Sequence, residues 1–113
     1  MEIQVTNISY ELDNEEGMNS LFFEYDKGYF TIARMDDDEN IYVELDSQDN
    51  GKYLDPDCFE FSFFNKKISF KIDGHRKVDV GIYDTITLLF EPVNKDVFSN
   101  LSKTLKNIFK ERF

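Results

Sequence analysis

Residues 59–73 read FEFSFFNKKISFKID, and this stretch decides the fold. Phe59, Phe61 and Phe63 fall on one side of an extended chain, with Glu60 and Ser62 on the other. That period of two belongs to a strand with one buried face. After Asn65-Lys66 the alternation resumes, with Ile68, Phe70 and Ile72 opposed to Ser69, Lys71 and Asp73. Two such runs separated by two residues predict a β-hairpin.

The same pattern extends towards the N-terminus. In IYVELD (41–46), Ile41, Val43 and Leu45 point inward while Tyr42 and Glu44 point outward. SLFFEYD (20–26) and YFTIARM (29–35) flank Lys27-Gly28, which predicts a tight turn between paired strands. Ile3 and Val5 share one parity, whereas Ile8, Tyr10 and Leu12 share the other, so a bulge is expected near Thr6-Asn7. TITLLFE (85–91) is the last strand and follows the less regular GHRKVDVGIYD (74–84).

Beyond Pro92 the period changes to that of a helix. Val97, Phe98, Leu101, Leu105, Ile108 and Phe109 form one apolar stripe, Asn94 is a good N-cap, and Lys106, Lys110 and Arg112 suit the C-terminal dipole. The expected class is α+β: a mostly antiparallel sheet of about seven strands with one C-terminal amphipathic helix packed on it. The 113 residues fit a single domain, 1–113, whose 12 Phe and 6 Tyr supply ample core.

Charge divides the chain. Residues 1–60 carry 17 acids against 3 bases, a net of −14, while residues 61–113 carry 6 acids against 10 bases, a net of +4. If the halves occupy different surfaces, the molecule is electrostatically polar. Its dominant field repels nucleic acid and anionic membrane and attracts cationic partners. Cys58 is the only cysteine, so no intrachain disulfide can form. No apolar run approaches about 18 residues, and the N-terminus lacks the basic and apolar regions of a signal peptide; a cytoplasmic location is expected.

DSQDNGKYLDPD (46–57) carries the spacing of a calcium loop, with Asp46, Gln48 and Asn50 at positions one, three and five, Gly51 at six and Asp57 at twelve. Gln48 and Asp57 depart from the usual ligands, and strands rather than helices flank the segment. The favoured reading is a connection between strands, in which Asn50-Gly51 supplies positive-φ positions and Asp55-Pro56 begins a second turn. Asp36, Asp37, Asp38 and Glu39 form the densest acidic run, at a predicted hairpin tip. If the strands around it pair, Glu44 projects from the same region.

A catalytic role finds little support. His75 is the only histidine, and nothing in its spacing brings it to Cys58. One histidine with one cysteine argues against zinc, no glycine-rich phosphate loop is present, and no cofactor is expected.

The segments YFTIAR, YVELDSQ, KKISFKID and ITLLFEPVNKDVFSNLSKTLKNIF together resemble immunity protein family 10 of bacterial polymorphic toxin systems, and the resemblance covers most of the chain. It implies a non-enzymatic protein that binds and neutralises a cognate toxin in the producing cell. Where the family has glycines after the tyrosine, this chain has Lys52-Tyr53-Leu54-Asp55-Pro56. An acidic inhibitor suits a basic toxin such as a nuclease, whose cationic cleft it would occupy. The expected contact patch is Asp36, Asp37, Asp38, Glu39, Glu44, Asp46, Gln48, Asp49 and Tyr53, the acids steering and Tyr53 anchoring. The alternatives are a calcium-responsive module and a general interaction domain that recruits a chain through a strand edge.

Overall fold

The computed structural model describes residues 1–12, 14–64, 66–72 and 83–110. The hairpin read from residues 59–73 is present as β7 (Phe59–Phe64) and β8 (Lys67–Ile72), paired Phe59 to Ile72, Phe61 to Phe70 and Phe63 to Ile68. These partners share one face, so the rings and branched chains of both strands enter the core together. Asn65, Asp73, His75, most of GHRKVDVGIYD and Arg112 lie outside the described residues.

Seven further strands are described: β1 (Glu2–Gln4), β2 (Asn7–Glu11), β3 (Met18–Tyr25), β4 (Gly28–Met35), β5 (Ile41–Leu45), β6 (Lys52–Leu54) and β9 (Thr85–Leu89). The architecture is α+β, as expected, but the strands form two sheets rather than one. One sheet has the order β1-β9-β8-β7 and the other β2-β3-β4-β5-β6. All pairings are antiparallel except that of β1 with β9, which joins strands from opposite ends of the chain.

The division explains the phase change near the N-terminus, where no bulge forms. The Val5 amide bonds to Leu89 O at 2.8 Å and the next amide, Thr6, bonds to Glu24 O at 2.7 Å. The chain leaves one sheet and enters the other between consecutive peptides, so the inward parity resets. The β3–β4 turn is also one residue earlier than expected: Tyr25 pairs with Gly28, leaving Asp26-Lys27 as the turn.

Helix α1 (Lys95–Ile108) begins at Asn94, whose side chain accepts the Val97 amide at 2.9 Å. Together with the four-stranded sheet it covers the inner face of the five-stranded one. Phe30 of β4 meets Phe70 of β8 at 5.8 Å between ring centroids, a direct contact of sheet on sheet. At the end of the helix Phe109 is fully buried among Phe59, Phe61 and Phe70, at 5.4, 4.3 and 5.7 Å, and Phe98 stacks on Phe63 at 4.8 Å. The fully buried rings of Phe59, Phe70 and Phe109 each contribute about 1.5–3 kcal/mol by leaving water. On the other side Arg34, only 3% exposed, donates from Nη1 to Ile108 O at 2.9 Å, and the Asn107 side chain donates to Asn19 at 3.0 Å.

The sheets also separate the charges. The acidic first half of the chain builds the five-stranded sheet, whereas Lys95, Lys103 and Lys106 lie exposed on the helix and Lys110 just past it.

Candidate partner-binding face

With the helix and second sheet on its inner side, the five-stranded sheet presents the opposite face to solvent. Cross-strand register sets the outer rows: Phe22 beside Thr31 and Glu44, Glu24 beside Tyr29, and Ala33 beside Tyr42 and Tyr53. Glu44 is the hub. Its Oε2 accepts the Tyr29 hydroxyl and its Oε1 the Tyr42 hydroxyl, both in charge-assisted bonds. Tyr29 stacks on Phe22 at 5.3 Å, and Tyr42 tilts against Tyr53 at 5.0 Å. Four aromatic rings are therefore arranged around one carboxylate, and Tyr53 stands 66% exposed at the sheet edge.

These contacts shift the tyrosines. The hydrogen bond to Glu44, followed by desolvation, pushes the Tyr29 and Tyr42 hydroxyls up to about 12. Tyr25 also rises to about 12, through desolvation first and then its bond to Asp46. Burial raises Tyr83 to about 12, and its hydroxyl supports the loop above it through a 2.6 Å bond to Asn50 O.

The nine residues expected to form the patch do not all meet. The β4–β5 connection holds Asp36–Glu39, while Asp46, Gln48 and Asp49 follow β5 at its far end, five strand residues away, on the order of 15 Å. Antiparallel pairing itself imposes this separation. Asp38 does join the tyrosine face, because it lines a pocket of about 150 Å³ with Met18, Ala33, Met35, Tyr42 and Tyr53. Asp37 and Glu39 are exposed beside it, as are Gln48 and Asp49 at the other end.

Four of the expected contact acids have structural work, Asp38 among them through Oδ1, which accepts the Asn40 amide at 2.9 Å. Asp36 accepts from the Asn19 side chain at 3.0 Å, and Glu44 is held by the two tyrosines. Asp46 accepts the Tyr25 hydroxyl at 2.6 and 2.7 Å and the Tyr29 amide at 3.0 Å. It is the sole non-glycine residue with positive φ among those described, at 65°. Gly28 faces its carboxylate so closely that a Cβ there would overlap it.

DSQDNGKYLDPD forms two short 3₁₀ turns, Gln48–Asn50 and Pro56–Cys58, separated by β6, rather than one ion-encircling loop. Asp55 caps the second turn through the Asp57 amide at 2.8 Å, as the Asp-Pro pair predicts. Asn50-Gly51 does not supply positive φ: Gly51 sits at −64°, and its missing Cβ instead makes room for the Tyr42 hydroxyl. Cys58 ends the second turn and is buried in the core. Among the described residues no three His, Cys, Asp or Glu side chains converge as a metal-binding group, and no helix is long and apolar enough to cross a membrane.

Phe22, Tyr29, Met18 and Met35 were not among the expected contacts. Their signal was present as outward parity on β3 and β4, where these large side chains alternate with the buried residues. Comparison with family models, curated proteins and solved structures finds no match to this chain.

Proposed function

We propose that this protein is a non-enzymatic bacterial immunity protein that binds a cognate toxin through the outer face of its five-stranded sheet. The observation carrying this reading is the combination of an exposed tyrosine and a supporting aromatic array on that face with acids in the loops at both ends of β5. Interface energy concentrates in rigid aromatic anchors, and complementary charge accelerates encounter. Tyr53 and Tyr42 serve as the anchor. Asp37, Asp38, Glu39 and Asp49 steer a basic partner from the two ends of β5, and Gln48 adds a polar contact. Glu44 and Asp46 act indirectly by fixing the tyrosines and the loop.

The residues carrying the family resemblance support the same site. Tyr29 of YFTIAR and Tyr42 and Glu44 of YVELDSQ are the three members of the hydroxyl–carboxylate clasp. A toxin with a cationic cleft, such as a nuclease, is the partner class this surface suits. Neutralisation occurs in the cytoplasm of the producing cell, without cofactor or catalysis.

The test is co-expression with the product of the adjacent reading frame. This protein is expected to restore growth and to co-purify with that product at low salt. Persistent lethality without complex formation would overturn the reading.

A further inference from the structure

We infer that the pocket between β4, β5 and the β6 edge receives one arginine side chain of the protein partner. The inference rests on the proposed binding role and adds the chemistry of its central contact. At about 150 Å³ the cavity suits one long side chain rather than a cofactor-sized molecule, which needs some 300 Å³ or more. Met18 and Met35 are direct cross-strand partners and, with Ala33, form an apolar floor for an aliphatic stem.

The pocket's polar features select the head group. Tyr42 and Tyr53, with ring centroids 5.0 Å apart, provide π surface that attracts a cation. Asp38 lines the pocket as well, with Oδ1 accepting the Asn40 amide at 2.9 Å. A planar guanidinium can lie against a tyrosine and direct N–H groups to a carboxylate, whereas an ammonium is a compact, strongly hydrated charge. Arg34 also borders the cavity, but its guanidinium is directed to Asp38 O, Glu39 O and Ile108 O, the last on the helix side. It holds the acidic loop in place.

The experiment titrates the full chain with the capped tripeptide acetyl-Gly-Arg-Gly-amide, followed by amide and methionine-methyl NMR. Saturable shifts are expected at Met18, Ala33, Met35, Tyr42 and Tyr53. Tyr53→Ala and Asp38→Asn should each weaken binding about fivefold, while Tyr53→Phe retains it. Asp38→Asn keeps an oxygen for the Asn40 amide, so it tests charge without dismantling the turn. The isosteric citrulline peptide should not bind. Equal binding of the lysine or citrulline peptide, or no saturable shift at the pocket, would overturn the inference. Growth rescue without peptide binding would remove the arginine pocket alone, and peptide binding without rescue would remove the toxin reading alone.

Discussion

Glu44 accepts two tyrosine hydroxyls at once, and this makes the candidate face measurable without a partner. A tyrosine raised to about 12 favours the protonated form in the folded state, compared with an ordinary value of 10.0. Its stabilising contribution is complete below pH 10 and is lost as pH rises through about 12. Spectrophotometric titration should therefore show Tyr25, Tyr29, Tyr42 and Tyr83 still protonated where ordinary tyrosines ionise. Glu44→Gln should lower Tyr29 and Tyr42, for which that carboxylate is the largest cause, and leave Tyr25 and Tyr83 raised by their own burial. Four unaltered transitions in the variant would contradict the clasp. At this scale sequence reading grouped Glu44, Asp46 and Tyr53 as contact residues and gave no sign that Asp46 is gripped by a turn. Its true partners, Tyr25 and the Tyr29 amide, are 17–21 residues away, and no local pattern discloses which carboxylate a turn will grip.

Among the elements, the connection between β4 and β5 depends on a buried cation. Arg34 donates to Asp38 O at 3.0 Å, Glu39 O at 3.2 Å and Ile108 O at 2.9 Å, linking the acidic loop to the last turn of the helix. The helix's C-terminal carbonyls carry partial negative charge, which favours a guanidinium there. Arg34→Met retains bulk but strands these acceptors, and should cost about 2–4 kcal/mol of stability in urea unfolding. Arg34→Lys should recover only part, since one ammonium cannot reproduce the guanidinium fork. A loss under about 0.5 kcal/mol would show the linkage to be unimportant. The helix and long strands were readable because each repeats its period over many residues. β6 was not, because Lys52–Leu54 is too short to establish any period. Nor was the second sheet: a parity reset at Thr6 is the same written signal whether the strand bulges or changes sheets, and only the long-range partners Leu89 and Glu24 distinguish them.

For the whole molecule, charge segregation was readable because chain order maps onto the sheets: β2 to β6 are consecutive in one, and β7 to β9 lie together in the other. The acids of β2 to β6 and their connections, which supply most of the net −14 of the first 60 residues, thus concentrate a negative field on one layer. That field has two consequences of opposite sign. Within the fold, like charges on neighbouring loops repel, and salt screens them over a distance of about 10 Å at 0.1 M. Raising sodium chloride from about 20 to about 200 mM should therefore move the urea midpoint upward, because repulsion outweighs exposed ion pairs, which contribute little. Towards a basic partner the same screening removes attraction, so stopped-flow association should slow over that range while dissociation changes much less. A midpoint that falls with salt would mean that attraction between the acidic sheet and the basic helix dominates the fold. A salt-insensitive association rate would mean that the acids do not steer.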